Sequence, residues 1–136
     1  MKLVVIDDEE KVCRLICALI DWERLGIEAA GTAADGEDGL NLIRAVRPDI
    51  LITDIRMPGK DGLELIAEAK SLLPHLQVII ISGYSQFDYA QAAIRYGVVN
   101  YLLKPVKKQE LNTILEKITR EHRQRLAETD RIEQLE

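Results

Sequence analysis

Continuous apolar runs and amphipathic stretches alternate along this chain. Lys2 to Ile6 is a short, largely β-branched run, and after it Val12, Leu15, Ile16 and Leu19 recur at helical spacing, with Cys13, Cys17 and Ile20 widening the stripe. Gly26 predicts the end of that helix. Ile27 to Ala33 reads as a second strand whose small residues suit a sheet edge. Gly36 to Val46 carries Leu40, Leu42 and Ile43 on a helix closed by Arg47-Pro48, and Ile50 to Thr53 is a third strand. Met57-Pro58-Gly59 marks a turn, followed by a helix with Leu63, Leu65, Ile66 and Ala69 that Pro74 breaks.

Gln77 to Ile81 gives a very apolar fourth strand, Phe87 to Tyr96 a fourth helix stopped by Gly97, and Val98 to Leu103 contains the fifth strand. The last helix begins near Lys107, with Leu111, Ile114, Leu115 and Ile118 on its apolar face. Apolar strands separated by amphipathic helices predict an α/β fold, a five-stranded parallel sheet with helices on both faces. From Thr119 onward the chain is mostly charged, with Leu126, Ile132 and Leu135 as sparse apolar points. That change predicts a domain over 1–119 and a solvated helical extension over 120–136, since the apolar points do not sustain the heptads of a coiled coil.

A length of 136 residues suits one core, and a 47% hydrophobic content is ordinary for a globular protein. No apolar run approaches the roughly 20 residues of a membrane helix, and Met-Lys-Leu-Val-Val leads into a strand rather than a signal peptide, so a cytoplasmic protein without membrane contact is expected. The net charge of -5 argues against direct nucleic-acid contact by this segment. Cys13 and Cys17, four apart on one helical face, read as buried thiols of a reducing compartment; a metal site there would need further ligands, and the histidines, His75 and His122, lie far off in loop and tail contexts.

Three strands run into charged residues. Leu3-Val4-Val5-Ile6 is followed by Asp7-Asp8, Ile50-Leu51-Ile52-Thr53 by Asp54, and Val98 to Leu103 by Lys104-Pro105. Parallel strands present ligand sites at their carboxyl edge, so these side chains converge there. Taken singly, Asp7-Asp8-Glu9-Glu10 would cap the first helix, Asp54 would start a turn, and Lys104 would be a surface lysine. Taken together, three carboxylates and one ammonium make a site for a divalent cation and a phosphoryl group. An aspartate is a competent nucleophile toward phosphorus, magnesium takes one or two carboxylates plus phosphate oxygens, and a lysine supplies a point charge for a remaining oxygen.

The chain resembles a receiver domain of a two-component response regulator over roughly Lys2 to Thr119. The resemblance rests on Val5-Ile6-Asp7-Asp8-Glu9, on Thr53-Asp54-Ile55-Arg56-Met57-Pro58-Gly59-Lys60-Asp61-Gly62, on Ile81-Ser82-Gly83-Tyr84 and on Tyr101-Leu102-Leu103-Lys104-Pro105. It implies a doubly wound, flavodoxin-like sheet of order 2-1-3-4-5. It also implies that Asp54 is the phosphoacceptor, that Asp8 ligates Mg2+ directly and Asp7 mainly through water, and that the backbone carbonyl of Arg56 completes the protein ligands. Lys104 would pair with a phosphoryl oxygen and Pro105 would follow a cis peptide. Ser82 would be the hydroxyl that moves to the phosphoryl group, and Tyr101 the aromatic that turns inward behind it. Serine stands where the family more often has threonine, and Gly83 where it has alanine.

Tyr84, Phe87, Tyr89, Tyr96 and Tyr101 gather most of the aromatics in one stretch, part of it ordinary packing and part a switch surface of fourth helix, fifth strand and last helix. Ser82-Gly83-Tyr84-Ser85-Gln86-Phe87-Asp88-Tyr89-Ala90, with Ile20-Asp21-Trp22, resembles receivers joined to an AraC-type DNA-binding domain. The expected partners are therefore a sensor histidine kinase, an output domain absent from this chain, and a second copy through the switch surface. The expected function is a transcriptional switch rather than an enzyme, with self-catalysed phosphoryl acceptance and slow self-dephosphorylation. A stand-alone receiver docking on a protein partner would differ only in lacking the output domain. A haloacid-dehalogenase-like phosphatase would want Asp-x-Asp after the first strand, where this chain has adjacent aspartates. A nucleotide-binding enzyme would want a phosphate-cradling glycine loop there, and none is present.

Overall fold

The computed structural model describes residues 1–57, 59–83, 91, 95, 97 and 100–135, with side chains as far as 129. Five strands, β1 (Lys2–Ile6), β2 (Glu28–Ala33), β3 (Ile50–Thr53), β4 (Gln77–Ser82) and β5 (Asn100–Leu103), pair in parallel in the order β2-β1-β3-β4-β5. The described helices are α1 (Glu10–Leu19), a one-turn α2 (Trp22–Leu25), α3 (Gly36–Val46), α4 (Gly62–Leu72) and α5 (Lys108–Leu135). The predicted fourth helix over Phe87 to Tyr96 lies almost wholly outside the described residues; Gln91 and Arg95 within it are helical. Tyr84, Phe87, Tyr89, Tyr96 and Pro58 also lie outside them.

The strand period of two divides the core between the faces. Leu3, Val5, Ile50, Ile52, Ile79, Ile81 and Leu102 pack against Cys13 and Ile16 of α1 and Leu111, Leu115 and Ile118 of α5. Their alternates, Val4, Ile6, Leu51, Val78 and Ile80, pack against Leu40 and Ile43 of α3 and Leu65, Ile66 and Ala69 of α4. Both faces of β1, β3 and β4 are therefore buried, which is why these strands read as unbroken apolar runs. β2, at the sheet edge, is half-exposed.

The first helix departs from its sequence pattern. The apolar stripe runs toward Gly26, yet α1 stops at Leu19 and a separate turn, α2, precedes Gly26, whose left-handed φ of 68° suits glycine. The break is made by tertiary partners. The buried Asn112 side chain of α5 accepts the Asp21 N–H at 2.9 Å and donates to the Leu19 carbonyl at 2.8 Å, while Trp22 Nε1 donates to the Cys17 carbonyl at 2.9 Å. At the other end, α5 runs unbroken past Thr119. Its burial ends there, with Ile118 and Thr119 buried and Leu126 53% exposed.

Two helix starts are set locally. Asp35 and Asp61 are N-caps whose side chains accept the N–H groups of Asp38 and Glu64. The thiols are free, Cys13 buried and Cys17 partly so. Burial, followed by the negative charge of Asp7, pushes the Cys13 thiol up to about 11, and burial raises Cys17 as well. Both therefore stay protonated at neutral pH, poor nucleophiles and poor metal ligands.

Candidate functional site

The carboxyl ends of β1, β3 and β5 deliver their charged residues to one pocket. The Asp7 N–H donates to the Ala33 carbonyl at 3.1 Å and the Asp54 N–H to the Ile6 carbonyl at 3.1 Å, so sheet hydrogen bonding continues one residue past the strands and fixes both aspartates. The Lys104 N–H likewise donates to the Ser82 carbonyl at 2.9 Å. From there Lys104 Nζ reaches Asp54 Oδ2 at 2.8 Å and Asp7 Oδ2 at 3.0 Å.

Asp7 and Asp54 are buried, 1% and 6% exposed, and Asp8 is exposed at the rim. Oxygens of all three carboxylates lie within 4.8 Å of one another. Three carboxylates against one ammonium leave the pocket negatively charged. Burial alone would pull the Lys104 ammonium down. Its hydrogen bonds to Asp54 and Asp7, with the charges of both, outweigh that and hold its pKa above the ordinary lysine value.

The remaining acceptors are partly used. Asp7 Oδ1 accepts the Glu9 N–H at 2.9 Å, and Asp54 Oδ1 accepts the Arg56 N–H at 3.3 Å. The helix-cap reading of the acidic run does not hold for α1: Glu9 occupies the N-cap position and makes no side-chain capping bond. Ser82, the last residue of β4, is fully buried, and Tyr101 on β5 is half-buried against the α3–α4 face. The Lys104–Pro105 peptide is cis.

Two contributors escape a reading based on charge. The buried Thr53 hydroxyl donates to the Asp54 carbonyl at 2.9 Å. Gly62 opens α4 so close to β3 that a Cβ there would lie 2.0 Å from the Asp54 carbonyl oxygen. Only glycine lets the loop after Asp54 close back on it, with the Gly62 N–H donating to the Ile55 carbonyl at 2.7 Å. The sequence signal was Asp61-Gly62 ahead of an apolar helical stripe, a cap followed by a residue without a side chain.

Hard oxygen donors grouped this closely fit magnesium, and a lysine beside them fits the anion that magnesium accompanies. Residues 3–116 match the family model described as the response regulator receiver domain. The transcriptional regulatory protein YesN of Bacillus subtilis is 41% identical over 120 residues, which are 88% of this chain and 33% of that protein. The transcriptional regulatory protein HptR of Staphylococcus aureus is 39% identical over 119 residues, 88% of this chain and 46% of that protein. The chain thus spans about a third to a half of the curated relatives it matches. Among solved structures, the REC domain of AraT, a response regulator from Geobacillus stearothermophilus, aligns with a TM-score of 0.87 at 39% identity, covering 92% of this chain and 97% of that one.

Proposed function

Because the chain belongs to the response regulator receiver domain family, we propose that it is a phosphorylation-operated switch in which Asp54 accepts a phosphoryl group from a sensor histidine kinase. The observation that carries this reading is the bridge from Lys104 to buried Asp54 and Asp7, with Asp8 alongside. An Asp54 oxygen bonds to phosphorus as the donor's bond to phosphorus breaks, giving an acyl phosphate. Asp7, Asp8, Asp54 and the Arg56 carbonyl would hold Mg2+, which supplies neutralisation of charge on the phosphoryl oxygens. Lys104 already reaches Asp54, so a phosphoryl oxygen added there comes within range of the same ammonium.

Phosphorylation adds nearly two negative charges and strong acceptors at Asp54. Ser82, at the end of the neighbouring strand, and Tyr101, one strand further, are the residues to register them, by a shift between pre-existing arrangements. We take 1–119 as the switch and 120–136 as a helical extension, in keeping with burial that ends at Thr119. The names of YesN and HptR support transcriptional output; in this reading that output runs through a DNA-binding domain of AraC type outside this chain, and the receiver itself does not contact nucleic acid. Leu103 of β5, 48% exposed, supports pairing with a second copy through β5, α5 and the fourth helix expected from the sequence over Phe87 to Tyr96. Among the described residues no helix is long and apolar enough to cross a membrane, and the reading places the protein in the cytoplasm.

Incubation with a small acyl phosphate and magnesium, followed by intact mass, tests the reading. One added phosphoryl group on the wild type and none on Asp54→Asn is the expected result. No addition to either would overturn it.

A further inference from the structure

Gly36 opens α3 outside the left-handed φ region, so its backbone conformation does not ask for glycine. A neighbour does. A Cβ on Gly36 would lie 2.3 Å from the Lys60 carbonyl oxygen and 2.7 Å from Lys60 Cβ. Lys60 belongs to the loop that leads from Asp54 to Gly62 and joins β3 to α4. The first turn of α3 is therefore seated directly on the backbone of the loop that follows Asp54.

This seat closes a ring beside the acidic pocket. The Asp7 N–H donates to the Ala33 carbonyl, just ahead of α3, and the Asp54 N–H donates to the Ile6 carbonyl, just ahead of Asp7. The sheet thus ties the start of each loop to a buried aspartate, and the Gly36–Lys60 contact ties the far ends together. Within the ring, the Arg56 N–H donates to Asp54 Oδ1 at 3.3 Å. Ile55 and Met57 share a buried cluster with Leu40 and Ile43 of α3, and Lys60 Nζ pairs with Glu68 of α4.

We propose that Gly36 is a positioning residue for phosphoryl acceptance: its missing side chain lets α3 hold the Asp54 loop where Arg56 orients the Asp54 carboxylate. The proposal rests on Asp54 being the phosphoacceptor. A carbon in contact with a carbonyl oxygen stands about 3.3 Å from it, so a methyl at position 36 displaces the Lys60 backbone by about 1 Å. Misplacement of that size far from the chemistry can cost about 100-fold in rate. Gly39, on the same helix, supplies the comparison. A Cβ there would meet Ile6 Cδ1 at 2.5 Å, and its nearest neighbours are all atoms of that side chain rather than loop backbone.

Gly36→Ala and Gly39→Ala are compared with wild type in the full chain, at a temperature where all are folded. The measurements are metal-free amide NMR and the rate of phosphoryl acceptance from a small acyl phosphate at saturating magnesium. Gly36→Ala should shift the amides of Ile55, Arg56 and Lys60 without metal and slow acceptance roughly tenfold or more. Gly39→Ala should keep the wild-type rate even where it melts lower. A wild-type rate in Gly36→Ala, or equal slowing in both variants, overturns this proposal alone. Wild type that accepts no phosphoryl group overturns the reading of Asp54 and this proposal with it. Should Gly36→Ala fail to fold, Asp35→Ala decides, because it removes the carboxylate that accepts the Asp38 N–H and loosens the same turn without inserting a group. Acceptance slowed by about twofold or more supports the proposal, and a wild-type rate overturns it.

Discussion

Lys104 bridges the Oδ2 atoms of two buried carboxylates with one ammonium, so removing it takes that partner from both. Without metal, Lys104→Met should lose on the order of 1–3 kcal/mol at neutral pH, the cost of leaving buried acceptors unpaired. The pH dependence has a definite sign. The folded-state pKa of Lys104 is raised, so its stabilisation is complete below the ordinary lysine value of about 10.4 and is lost as pH climbs through the higher folded value. Urea midpoints of wild type and variant should therefore converge above about pH 10.4; a gap that does not narrow contradicts the assignment. Gly62 gives a second test, steric rather than electrostatic. Gly62→Ala drives a methyl against the Asp54 carbonyl, and a loss of about 2 kcal/mol or more is expected from the urea midpoint.

The legible elements were those whose cause is local. β1, β3 and β4 are buried on both faces, so their sequences are unbroken apolar runs, and the acids that follow mark the strand ends without further help. The break after Leu19 was not legible, because the residue that makes it, Asn112, stands 91 positions from Asp21. Local pattern favours continuing the helix, and a tertiary hydrogen bond overrides it. Thr53 and Gly62 were missed as site residues for a similar reason: each acts on the Asp54 backbone, which carries no charge to reveal it. Asn112→Ala tests the override. It leaves the Asp21 N–H and the Leu19 carbonyl without this partner, so a loss of about 1–3 kcal/mol is expected, with faster hydrogen exchange at the Asp21 amide. Stability and exchange that match wild type would mean that α1 ends for another reason.

On the scale of the molecule, the acidic pocket exists only when the sheet is formed, because its carboxylates come from the ends of two different strands. An ion bound there recognises the native state and not the unfolded chain, so magnesium should stabilise the whole fold, by about 2.7 kcal/mol at one hundred times its Kd. Asp8→Asn separates this from a general salt effect because two consequences run in opposite directions. The variant has one fewer carboxylate crowding its neighbours, so its metal-free melting temperature should equal or exceed that of wild type. It has also lost a ligand, so most of the magnesium-induced rise should disappear. With potassium chloride balancing ionic strength, equal rises in the two proteins would mean that magnesium acts elsewhere. A metal-free Asp8→Asn that melted well below wild type would mean that Asp8 serves the fold rather than the ion.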